Sequence, residues 1–129
     1  MGSNKDEVQV SYDVSNEFFR LWLDERMNYT CALFIDTDNL EEAQMKKLQW
    51  LHDAARVTPE KNVLDIGCGW GANLEFLSCN KGVKQSTGIT LSRSQFAEVE
   101  RRNLPGVSVE CIDYRNFEPK KKFDSVISI

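Results

Sequence analysis

One histidine, His52, is all the imidazole this chain holds, and its four cysteines, Cys31, Cys68, Cys79 and Cys111, form no C-x-x-C pair. The ligand spacings of a metal site are therefore missing, and no metal is expected. The cysteines read as reduced thiols of a cytoplasmic protein. No stretch approaches the roughly 20 apolar residues that span a bilayer, so no integral membrane segment is expected. The start, MGSNKDEV, is polar where a signal peptide is apolar, and Asp6 stands where N-myristoylation wants Ser or Thr. Basic clusters are scarce too. Beyond Lys120-Lys121-Lys122 there is none, and the net charge is −4, which argues against nucleic acid as a partner.

What is present is 129 residues with 41% hydrophobic and 28% charged content, without repeats or low-complexity linkers. That suffices for one globular unit with a modest core. Two regions are expected, a helical segment over 1–61 that covers substrate and cofactor and a Rossmann-like half over 62–129. In the first, Ser15 reads as an N-cap, with Val14 and Phe19 at staple spacing and Glu17 at the positive helix end. Phe18, Leu21 and Trp22 then share a face, which either packs on the core or lies over a ligand. A second helix is expected to start with a capping box of Asp38 and Glu41 and to carry a stripe of Leu40, Ala43, Leu48, Leu51 and Ala55. His52 falls on this helix, is expected to be partly exposed, and receives no role.

From residue 62 short strands and helices alternate. NVLDI, KQSTGIT, VSVECI and FDSVISI read as strands, and GANLEFLSCN and SRSQFAEVERRN as helices, the latter with Ser92 and Gln95 at capping-box spacing. The order implies an α/β fold with a parallel sheet, and a ligand beyond the carboxyl ends of its strands.

The stretch NVLDIGCGWGANLEFL places glycines at 67, 69 and 71. Gly67 and Gly69 permit a tight turn and let a ligand lie against bare backbone. Gly67, Gly69 and Ala72 satisfy the dinucleotide pattern G-x-G-x-x-G/A. Asp65 opposes that reading, because a carboxylate there repels a pyrophosphate. The acid expected for an adenosine ribose is also missing, since the second strand ends Gly88-Ile89-Thr90. S-adenosylmethionine, with its ammonium and sulfonium and no phosphate, fits better. The alternative is that Asp65 merely caps the loop.

The blocks SYDVSNEFFRLWLDERMNYTCALF, LEEAQMKKL, VLDIGCGWGANLEFL, GITLSRSQ and DYRNFEPKKKFDSVISI together resemble the cyclopropane fatty acid synthase and mycolic acid cyclopropane synthase family, class I S-adenosylmethionine-dependent methyltransferases. The resemblance runs from about Val10 to Ile129. It implies that Tyr29 and Thr30 contact the cofactor and that Asp65, Gly67, Cys68 and Gly69 floor its methionine and ribose. Thr90, Leu91 and Gln95 would replace the ribose acid, and Asp113, Tyr114 and Arg115 would flank the adenine. Two of these have plainer readings: Gln95 as capping partner of Ser92 alone, and Arg115 as a solvated charge.

The resemblance further implies methyl transfer to a carbon–carbon double bond of an unsaturated acyl or lipid-like acceptor. Tyr12, Trp22 and Tyr29 are then candidates to stabilise a carbocation on it. Cys31 would help hold a bicarbonate base, its alternative being a small buried hydrophobe. Ser11 stands where the family often has His before the Tyr-Asp pair. Family members are well over twice as long, and the chain stops in the fourth strand. It is therefore expected to be the cofactor half, a Rossmann-like sheet truncated after four strands, whose open edge favours a dimer or a covering partner. Other readings are a small-molecule C- or N-methyltransferase, a non-catalytic fragment or half of a split enzyme, and, most distantly, a dehydrogenase.

Overall fold

The structure, a computed structural model, describes residues 15–129. Ser11, at the family's His position, Tyr12, a candidate to stabilise a carbocation, and Val14, of the staple, lie outside the described residues.

Among the described residues, the helices α1 (Asn16–Arg20) and α2 (Leu40–Ala54) precede a four-stranded sheet. Its strands are β1 (Asn62–Ile66), β2 (Gln85–Thr90), β3 (Val107–Cys111) and β4 (Ser125–Ser128). They are parallel and ordered β3-β2-β1-β4. Between β1 and β2 runs α3 (Ala72–Glu75), which continues as a π turn over Phe76–Asn80; α4 (Arg93–Arg102) joins β2 to β3. The π turn closes with Lys81 N–H donating to Phe76 O, five residues back, so the expected single helix over 71–80 changes pitch halfway.

Central β1 pairs on both sides, with Ile66 opposite Ile89 of β2 and Ser128 of β4. The strand ends thus align, and the loops that follow them meet. The core under this sheet is Val63, Leu74, Leu77, Val99, Val109 and Ile127. Each such side chain contributes about 1.5–3 kcal/mol by leaving water.

Local signals place most element starts, with corrections. Ser15 caps α1, its Oγ accepting from Phe18 N–H at 3.3 Å. The helix ends after one turn, however, and the expected face of Phe18, Leu21 and Trp22 is only partly made: the Phe18 and Trp22 rings meet edge-on at 6.3 Å, but neither is buried. Leu21 is 81% exposed, while Phe19 is the buried side chain, its ring 4.7 Å from Trp70. The cap of α2 is Asn39, not Asp38: Asn39 Oδ1 accepts from Glu42 N–H at 3.0 Å, and Thr37 Oγ1 draws in the Glu42 carboxylate at 2.7 Å. The buried side of α2 is Ala43, Gln44, Lys47, Leu48 and His52, whereas Leu40 is exposed. His52, expected to be partly exposed, is fully buried. It lies one turn beyond Leu48, and its ring packs edge-on against Phe76.

Candidate functional site

A cavity of about 360 Å³ opens where the strands end. Asp65 and Ile66 close β1 at its floor, the loop Gly67–Trp70 follows, and Thr90 and Leu91 leave β2 beside it. Ile112 and Tyr114 come from the segment after β3, Ser128 and Ile129 from β4, and Met27–Thr30 cross over the top.

The loop owes its path to two glycines. Gly67 and Gly69 have φ of 76° and 54°, left-handed values that cost other residues about 1–2 kcal/mol. An added Cβ at either would meet no atom of the described residues within 4 Å, so among these the backbone lies open toward the cavity. The turn itself is tied to β2, with Gly67 and Cys68 N–H both donating to Ile89 O at 2.9 and 3.0 Å.

Asp65 is only 2% exposed, and its Oδ2 is buried without a hydrogen-bond partner among the described residues. Burial pushes its carboxyl up to about 7, with the Asn73 side chain pulling the other way. The plainer reading of Asp65 as a cap of the loop finds no support at that oxygen. A buried carboxylate of this kind calls for a cationic group on the cavity side. The same burial, together with the Asp65 charge, pushes the neighbouring Cys68 thiol up and makes it inert. The site thus fits a ligand that brings a positive charge to Asp65 and lies against the Gly67–Gly69 backbone.

At the end of β2, Thr90 Oγ1 donates to Gln95 Oε1 at 2.8 Å and accepts from Ser92 N–H at 3.2 Å. Ser92 does cap α4, its Oγ accepting from Gln95 N–H. The reciprocal half of the expected capping box is absent because Thr90 takes the Ser92 amide. Gln95 is thereby held against Thr90 with its amide nitrogen left over to donate.

Of the residues named from sequence, Tyr29, Thr30, Asp65, Gly67, Cys68, Gly69, Thr90, Leu91, Gln95 and Tyr114 line this cavity. Asp113, Arg115 and Cys31 do not. Asp113 accepts the Arg115 N–H and its guanidinium at 2.9 Å each, which caps the 3-10 turn Tyr114–Asn116 and holds the carboxyl down at about 2. Cys31 is exposed, so the reading of it as a small buried hydrophobe fails. Trp70 and Asn73 line the cavity unforeseen. Trp70 fixes α1 over it, donating from Nε1 to Asn16 Oδ1 at 2.8 Å.

A parallel sheet in this order, with a glycine turn after β1 and the cavity at the strand ends, is the class I methyltransferase fold. The profile of the family described as mycolic acid cyclopropane synthetase matches residues 2–129. A probable fatty acid methyltransferase of Pseudomonas putida is 36% identical over 133 aligned positions, covering 98% of this chain and 34% of that protein. The cyclopropane-fatty-acyl-phospholipid synthase of Escherichia coli K12 is 37% identical over 120, covering 92% and 30%. The solved structure of mycolic acid cyclopropane synthase CmaA1 with SAH and CTAB superposes with a TM-score of 0.89 at 32% identity, over 100% of this chain and 46% of that one. The chain belongs to the mycolic acid cyclopropane synthetase family, as its motifs suggested. It spans about a third of the length of these curated relatives. No helix among the described residues is long and apolar enough to cross a membrane.

Proposed function

We propose that this chain binds S-adenosylmethionine and forms the cofactor-binding part of an enzyme that transfers a methyl or methylene group to an unsaturated, lipid-like acyl acceptor. The observation that carries the reading is Asp65: a buried carboxylate with an unpartnered oxygen beneath an open glycine turn. When bound, S-adenosylmethionine supplies an electrophilic methyl group on a sulfonium. The protein's own task is to hold the donor still and keep water out of the transfer.

In this reading Asp65 takes the ammonium of the methionine end, and the backbone at Gly67 and Gly69 runs along the methionine and ribose. Gln95, braced by Thr90, donates to a ribose hydroxyl in place of the usual acid. Leu91, Ile112 and Tyr114 give the base an apolar wall, with the Asp113–Arg115 pair acting only through the turn that carries Tyr114. Tyr29 and Thr30 close the site from above. To Cys31, exposed beside Thr30, we assign a bicarbonate-holding role on the acceptor side. The lipid-like acceptor is supported by the names of the relatives above, two of which modify fatty acyl chains. Four unpaired thiols fit a cytoplasmic location. Any self-association or partner is assigned to the outer side of β4, where Val126 is exposed.

Calorimetry with S-adenosylhomocysteine and with NAD tests the cofactor, and transfer of labelled methyl groups to vesicles of monounsaturated phospholipid tests the acceptor. Binding of the first ligand only, with label in the acyl chains, is expected. NAD binding alone overturns the reading. Binding without transfer leaves a cofactor-holding half, and transfer to small amines instead overturns the acceptor.

A further inference from the structure

A lysine is buried behind the roof of the cavity. Lys47, on α2, is only 5% exposed, yet no carboxylate of the described residues lies within ion-pair distance of it. Its Nζ donates to Thr30 Oγ1 at 2.7 Å and to Asn28 Oδ1 at 3.3 Å. Both acceptors are neutral. Asp24, itself buried, answers the charge only at second hand, its two oxygens accepting the side-chain and backbone N–H of Asn28 at 2.7 and 2.6 Å. One turn earlier on α2, Gln44 Nε2 donates to Thr30 O at 2.9 Å. Lys47 and Gln44 therefore clamp both ends of Thr30, in a segment that enters through Met27 at φ 60°.

The chemistry of Thr30 follows from its donor. A hydroxyl has one proton and two lone pairs. With Lys47 donating to its oxygen, the proton of Thr30 is released to point away from Lys47, toward the cavity that Thr30 lines. The ammonium behind it polarises that O–H and makes this wall positive, while burial lowers the lysine pKa with the nearby Asp24 charge opposing. Asp65, on the same cavity lining, supplies the opposite charge in its ionised form. A group with an anion and a cation a few ångströms apart has only one favourable way to lie between them.

We propose that Lys47 is a positioning residue that acts through Thr30 to bind the carboxylate of the ligand's amino-acid end, and so fixes which way that end lies above Asp65. This rests on the proposed cofactor and names a residue outside the cavity lining that orients it.

The test is calorimetry on the intact protein with S-adenosylhomocysteine and with 5′-methylthioadenosine, the same nucleoside without the amino-acid end. Lys47→Met and Thr30→Val are each expected to weaken the first at least tenfold and to change the second less than twofold. Lys47→Arg and Thr30→Ser restore binding, and the Lys47→Met/Thr30→Val double variant is no worse than Lys47→Met alone. Equal weakening of both ligands makes Lys47 merely structural and overturns the proposal, as does unchanged S-adenosylhomocysteine binding in the folded variants. Should Lys47→Met fail to fold, the ligand selectivity of Thr30→Val, an exposed position, decides by the same criterion. Wild-type protein that binds neither ligand overturns the cofactor assignment itself, a pattern distinct from both.

Discussion

Nε2 of His52 lies 2.6 Å from Oδ1 of Asn73, both side chains fully enclosed. Because an amide oxygen only accepts, Nε2 carries the proton, and the buried Nδ1, which has no partner among the described residues, is the bare nitrogen. The ring is therefore neutral, and burial lowers its pKa, with the bond to Asn73 opposing. A lowered folded pKa means the unfolded chain binds a proton first. His52 thus removes stability as pH falls below its unfolded value near 6.5. His52→Gln, which keeps a donor for Asn73, is expected to abolish that loss. Urea titrations between pH 5 and 7.5 check it; a slope unchanged from wild type would falsify the assignment.

Asp65 works in the opposite sense over nearly the same range. Its folded pKa of about 7 exceeds the reference of 3.8, so the folded state holds the proton more tightly, and stability falls as pH rises from about 4 to 7. Asp65→Asn is expected to stabilise the ligand-free protein at pH 8 by on the order of 2 kcal/mol, while weakening S-adenosylhomocysteine at least a hundredfold. Thermal melts with and without ligand measure both. A variant that is less stable and binds normally would show that the carboxylate serves the fold.

On the proposed reading the same carboxylate is expected to make binding pH-dependent. A cation against Asp65 favours its ionised form, so association at pH 6.5 releases protons and at pH 8.5 does not. Calorimetry in buffers of different ionisation enthalpy counts them. Proton release independent of pH, or absent in wild type, excludes Asp65 as the partner of the ligand's ammonium.

Gly67→Ala separates loop strain from ligand contact. Its new methyl meets no atom of the described residues, so the ligand-free protein should lose only the left-handed backbone cost of about 1–2 kcal/mol. In the proposed reading the ligand lies in the space it fills, and S-adenosylhomocysteine binding should fall by tenfold or more. Full affinity in the folded variant would place the ligand elsewhere.

How far this site was legible from sequence depends on how local each signal is. The glycine turn, the strands around it and the caps at Ser15 and Ser92 follow from short-range chemistry and read correctly. The length of α1 did not, because its start has a capping residue and its end has no comparable signal. Lys47 and His52 were missed for a different reason. A polar residue on a helix reads as solvent-facing unless its buried partner is known, and Thr30 and Asn73 lie 17 and 21 residues away. His52 did carry a hint, one turn from Leu48 on the apolar stripe. The resemblance names Asp113 and Arg115 as adenine contacts, and nothing in their spacing reveals that they also bind each other.

Glu98 ties the cover of the cavity to the sheet layer. Only 6% exposed, it receives Arg20 of α1 at 3.0 Å and Arg101 and Arg102 of its own helix at 2.9 and 3.4 Å. The Arg101 hydrogen bond is the main reason its carboxyl sits below the usual range. That lowered pKa contributes stability above the unfolded value of 4.5, which is lost as pH falls through the folded pKa. Arg20 and Arg101 are largely solvated, which discounts the pairs, so Glu98→Gln should cost about 1–2 kcal/mol globally. Its sharper effect is local. Arg20 closes α1, and Phe19 beside it packs on Trp70 at the cavity wall. Loosening Arg20 should raise amide exchange over residues 18–23 at least tenfold, well beyond the change at β1, and high salt should do the same to wild type. Exchange that rises uniformly across α1 and β1 would mean that Glu98 stabilises the fold as a whole and does not latch the cover.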